Sequence, residues 1–184
     1  MRRFSLLSLF LTSTLLTASP LSEEQMVQKG SKTSALLLQK LGGELKSQMQ
    51  TSGPIRALHF CSQNALTLTE QIAKESKTSI KRISINNRNP VNKANKDEIA
   101  LLSEWDKLVK NGQPLPEQKL VKVSNSTIMY YKPIVINNEA CLKCHGNVEG
   151  ELAKAIHATY PEDKATGYKM GDLRGMIAIT IKRD

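Results

Sequence analysis

Gln118-Lys119-Leu120-Val121-Lys122-Val123-Ser124-Asn125-Ser126-Thr127-Ile128-Met129-Tyr130-Tyr131-Lys132-Pro133-Ile134-Val135-Ile136 is the stretch that decides the fold class. Two runs rich in β-branched and aromatic residues flank the polar pair Asn125-Ser126. They read as a hairpin with strands over 118–124 and 127–136. Further along, Ile177, Ile179 and Ile181 alternate within 175–182, which predicts a last strand. Upstream, 79–85 alternates enough for a short one.

The rest of the chain reads as helix and loop. Residues 24–49 place Leu38, Leu41, Leu45 and Met49 on one face, and Ser52-Gly53-Pro54 breaks that helix. Pro54 suits the first turn of a second helix, along which Ile55, Leu58, Cys61, Ala65, Leu68 and Ile72 advance by threes and fours. Residues 86–92 form a polar loop. A third helix spans 97–110 with Ile99, Leu102, Trp105 and Leu108 inward and Leu101 less strictly so, and Asn111-Gly112 ends it. Short helices are expected at 139–146 and 151–159. Helices followed by a mostly antiparallel sheet make an α+β domain, and 184 residues suit one core.

Charge narrows the partners. Lys and Arg number 26 against 17 Asp and Glu, a formal net charge of +9. The densest basic group is Lys74, Lys77, Lys81, Arg82 and Arg88. No aromatics interleave with it, so it reads as solvated surface and no nucleic-acid partner is expected. Residues 1–20 read as a signal peptide: Arg2 and Arg3 give a positive start, Phe4 to Leu16 an apolar run, and Thr17-Ala18-Ser19 small residues for cleavage. That run is short for a membrane span, and no other stretch is long enough. The expectation is an exported, periplasmic protein whose residues 21–184 form a single domain.

Cys141-Leu142-Lys143-Cys144-His145 is a C-x-x-C-H motif, the attachment pattern of c-type haem. Residues three apart share a helix face, so both thiols reach the two vinyl groups of one porphyrin. The adjacent imidazole then lies under the iron. No βαβ unit surrounds the motif as in a dithiol oxidoreductase, and no second ligand pair completes a zinc site. One covalent haem c at Cys141 and Cys144, with His145 as an axial ligand, is the expectation. The sixth position has several candidates by residue type: His59, Cys61, His157, Met129, Met170 and Met176. Cys61 stands on the inward stripe of its helix, whereas His59 is rotated away from it. An ordinary buried thiol is the competing reading for Cys61.

The chain resembles a family of exported single-haem c domains with a PAS-like fold, long catalogued as a domain of unknown function. The likeness runs from about Ser34 to the C-terminus. It rests on Cys61-Ser62-Gln63-Asn64-Ala65, Arg88-Asn89-Pro90-Val91-Asn92, Tyr131-Lys132-Pro133-Ile134 and the haem motif through Gly146. It continues through Tyr160-Pro161-Glu162-Asp163-Lys164-Ala165-Thr166-Gly167-Tyr168 and Gly171-Asp172-Leu173-Arg174-Gly175. The resemblance implies a PAS-like α+β fold, an antiparallel sheet preceded by N-terminal helices. It also implies that His145 and Cys61 are the two axial ligands of the iron. After Asn92 the chain lacks the proline and tryptophan associated with the family, and no fused signalling domain is expected, which puts direct signal output in doubt.

A thiolate ligand lowers the reduction potential, and a metal favours the deprotonated thiol. The expected function is a redox or small-ligand sensor reporting to an unidentified redox or signalling protein. A small electron-transfer cytochrome is the alternative, and a haem enzyme is the weakest reading because no distal acid or base is identifiable. Arg174 and Arg88 are candidates to pair with a haem propionate, and Tyr160 and Tyr168 to border the haem or donate a hydrogen bond; an ordinary surface or loop residue is the competing and favoured reading for each.

Overall fold

The first helix begins where Ser22 and Gln25 close a capping box. Ser22 Oγ accepts from the Gln25 backbone N–H at 3.2 Å, and the Gln25 side chain accepts from the Ser22 N–H at 2.8 Å. In the computed structural model, which describes residues 20–183, this helix (α1) runs over Glu23–Glu75. It is not one straight rod. Gly53 stands at φ 79°, outside the helical region, and Pro54 follows with no N–H to give. The two helices expected from the sequence are thus limbs 23–52 and 54–75, joined end to end at that break. The signal-peptide reading, on residues 1–20, lies almost wholly outside the described residues. No helix among the described residues is long and apolar enough to cross a membrane.

Four strands follow: β1 (Ser79–Ile83), β2 (Lys119–Lys122), β3 (Thr127–Val135) and β4 (Leu173–Lys182). They form one antiparallel sheet in the order β1-β4-β3-β2. The α+β class, with helices leading into an antiparallel sheet, is the one expected. Strand alternation splits the sheet into two apolar faces. Ile128, Tyr130, Ile177, Ile179 and Ile181 pack against Met26, Leu37 and Ile72 of α1. Ile83, Met176 and Ala178 pack against the helix α2 (Lys96–Lys110) through Leu101, Leu102 and Trp105. β4 is therefore buried on both sides, which its apolar residues at consecutive positions require.

One detail departs from the sequence reading. On α2, Leu101 is buried and Ile99 is 41% exposed, so the inward stripe is turned by part of a step. At the crossing of α1 over the sheet, Gly30 lies against the fully buried Tyr130 ring so closely that any Cβ there would collide with it. The remaining helices, α3 (Glu139–His145) and α4 (Gly150–Thr159), sit between β3 and β4 in sequence, and both touch α1.

Candidate functional site

The site grows from the seven residues of α3. Asn138 caps it, its Oδ1 accepting from the Ala140 N–H at 2.8 Å. Cys141 and Cys144 follow on one face, and His145 ends the helix. The chain must then leave sharply. A Cβ on Gly146 would stand 2.7 Å from the Leu142 carbonyl oxygen, so glycine is needed there for closeness.

The segment 160–168 wraps the histidine. Tyr168 N–H donates to the His145 carbonyl and Gly167 N–H to that of Gly146, both at 2.9 Å. His145 Nδ1 lies 2.7 Å from the Ala165 carbonyl oxygen, which can only accept. Nδ1 therefore carries the proton, and Nε2 is left with its lone pair. Burial, helped by the charges of Arg174 and Arg88, pushes the His145 imidazole down to about 3, so the ring is neutral near pH 7. The Tyr168 ring meets it edge to face, with centroids 6.3 Å apart.

Behind this loop stands an ion pair that local sequence does not announce. Arg88 Nε donates to Asp163 Oδ1 at 3.0 Å and its Nη2 to Oδ2 at 3.1 Å. Nη2 also reaches the Cys144 carbonyl at 2.7 Å, while Asp163 Oδ1 accepts from Ala165 N–H at 3.0 Å. A continuous chain of bonds thus runs from Arg88 through Asp163 and Ala165 to His145. This corrects the reading of Arg88 as solvated surface: its guanidinium is engaged by Asp163.

Above α3 opens a cavity of about 310 Å³, within the range of small-molecule and cofactor sites. Its walls are mostly apolar: Leu41, Leu45 and Met49 from the first limb of α1, Leu58 and Ala65 from the second, and Ile134 to Ile136 after β3. Cys61, Cys141, Cys144 and His145 all line it. All three cysteines are unbridged. Burial pushes the Cys61 thiol up, against the pull of Arg82, and does the same to Cys144 against Arg88.

Of the candidates for a second axial ligand, Cys61 alone shares this cavity with His145. His59 and His157 are exposed on the outer sides of α1 and α4, and Met170 is exposed in the loop before β4. Met129 takes a hydrogen bond from Thr180 Oγ1 on the α2 side of the sheet, and Met176 is buried in that core. Met49 and Arg82 are among the lining residues that the sequence reading did not place at the site. Met49 was read as a helix-face residue and Arg82 as surface charge; only their place in the fold brings them here. Tyr160 lines the cavity, whereas Tyr168 flanks His145 outside it.

Fold and site define an α+β protein whose first helix closes an apolar cavity over a Cys-x-x-Cys-His turn. The sequence matches the family model described as Tll0287-like over residues 17–182, and the chain belongs to that family. A solved structure, the crystal structure of the cyanobacterial heme-protein Tll0287, has the same fold with a TM-score of 0.65. Its identity is 22%, over 89% of this chain and 98% of that one. A comparison with curated proteins gave no match.

Proposed function

We propose that this chain is an exported c-type haem protein that acts as a redox or small-ligand sensor and not as an enzyme. One haem is held covalently by Cys141 and Cys144, with His145 and Cys61 on the two axial positions. The observation that carries the reading is the convergence of these four side chains, from the 54–75 limb of α1 and from α3, on one apolar cavity. The residues suit the group. Two thiols share a helix face, the imidazole presents a free Nε2, a further thiol lies in the same cavity, and apolar walls surround them. The solved protein of the same fold is described as a heme-protein.

When bound, haem supplies an iron that takes up and releases one electron. The chain does the rest. Ala165 fixes the His145 tautomer and Gly146 fixes its exit from the helix. Leu41, Leu45 and Met49 give the cavity an apolar wall. Cys61 stands on a limb that begins at the Gly53–Pro54 break and ends next to β1, so a change of state at its Sγ is felt along a defined helix. That coupling is what a sensor reporting to a protein partner needs. Export follows from the reading of residues 1–20 as a cleaved signal, which leaves 21–184 as a single haem-binding domain.

The test is the ferric electron paramagnetic resonance spectrum of protein made with the haem-attachment machinery, beside Cys61→Ala. A low-spin thiolate signal that vanishes in the variant is expected. An unchanged spectrum removes Cys61 as ligand and turns the reading toward an electron-carrying cytochrome. Steady turnover of peroxide would make the protein an enzyme. N-terminal sequencing of the mature periplasmic protein tests export.

A further inference from the structure

Three guanidinium groups, Arg82, Arg88 and Arg174, line the cavity, and no aspartate or glutamate is among its lining residues. Two of the three are engaged. Arg88 is held by Asp163. Arg174 Nη1 donates to Ser84 Oγ at 2.9 Å and to the Asn86 carbonyl at 3.2 Å, and its guanidinium stands 5.3 Å from the Tyr168 ring centre, while its buried Nε has no partner among the described residues. Arg82 makes no side-chain hydrogen bond or ion pair among the described residues. The ionisable groups close enough to act on it are Cys61 and Tyr160, with no carboxylate.

Its placement follows from the strand. Ile83 turns to the α2 side of the sheet, so Arg82 turns to the α1 side, where its cross-strand partner Ile177 is also packed. On that side its neighbours along β1 and β4 are isoleucines. Arg82 is half-buried and its nitrogens stay reachable from the cavity, so a guanidinium without a counter-ion there is open to an anion that comes to meet it. The planar fork of arginine is shaped for a carboxylate.

We propose that Arg82 is the carboxylate anchor of this cavity, pairing with an acid group on an occupant that has an apolar body. This rests on the haem reading, under which the acid group is one of the two propionates. It also places that role on Arg82, the lining arginine with no side-chain hydrogen bond or ion pair among the described residues, ahead of Arg88 and Arg174, to which residue type alone pointed.

The experiment uses holoprotein whose haem is isotopically labelled at the propionate carboxyl carbons by feeding labelled aminolevulinate. Infrared spectra are taken of wild type, Arg82→Gln and Arg82→Lys. Label-sensitive carboxylate bands are expected to move toward the free-carboxylate position in Arg82→Gln and only part of the way in Arg82→Lys, which keeps the charge and loses the fork. Arg82→Lys carries the test where the glutamine variant does not accumulate. Labelled bands identical in all three proteins overturn the anchor, and a ferric thiolate signal altered at the same time would make Arg82 a neighbour of Cys61 only. Wild-type protein that purifies without labelled porphyrin sinks the haem reading itself, and the anchor with it.

Discussion

Asp163→Asn isolates one term of the network behind His145. The amide keeps the shape of the carboxylate and its capacity to accept from Ala165 N–H, but it strips the counter-ion from Arg88. Both side chains are shielded from water, at 12% and 9% exposure, and their contact is two-pronged at 3.0 and 3.1 Å. Removing one member of a buried pair costs about 3–5 kcal/mol, because the partner is left charged and uncompensated. Arg88 keeps its bond to the Cys144 carbonyl, so the lower end applies, about 3 kcal/mol. For a chain of this size each kcal/mol lowers Tm by about 2–4 °C, which puts the fall at roughly 6–12 °C. Thermal unfolding followed by circular dichroism at matched haem loading measures it. Arg88→Met with Asp163→Leu should cost less than the two single changes added together, since the double variant buries no lone charge. A Tm within about 1 °C of wild type for Asp163→Asn, or strict additivity in the cycle, would refute the reasoning.

Gly30→Ala gains about 1 kcal/mol of helix propensity yet drives a methyl into the Tyr130 ring, so a net loss of about 1–3 kcal/mol in urea unfolding is expected. Cys141→Ser combined with Cys144→Ser should leave a haem that acid–organic solvent extracts from the denatured protein, whereas the wild-type haem stays with the chain. In protein made without haem, His145 holds its folded value near 3 against an ordinary 6.5, so the unfolded chain takes up the proton first. Its contribution to stability is therefore full above pH 6.5 and lost as pH falls from there toward 3, and His145→Gln should flatten that part of the profile in denaturant midpoints measured against pH.

Local signals carried much of this fold. The hairpin around Asn125-Ser126, the helix break at Gly53-Pro54 and the isoleucine alternation of β4 each depend on neighbours within a few residues, and each stands where its pattern put it. The Cys-x-x-Cys-His turn is local in the same sense. Cys61 is an intermediate case: helical periodicity turns it inward, but only the crossing of α1 over α3 brings it into the cavity of His145. Nothing local links Arg88 to Asp163, which lie 75 residues apart. What makes that pair is the return of the 160–168 segment onto the haem-motif turn.

Arg82 shows most clearly why the remainder was illegible. A basic residue on a five-residue strand at a sheet edge, with Lys74, Lys77 and Lys81 before it, has every local mark of a solvated side chain. Its surroundings were settled by an event remote in sequence: the second limb of α1, entering through a break at Gly53, lies over that strand and leaves Arg82 half-buried in the cavity wall. Folding alone gives no reason to keep a guanidinium there, because leucine would pack the same face without a half-buried charge that lacks a counter-ion. A local rule broken without compensation inside the chain points to compensation from outside it, and here it points to an anion in the cavity.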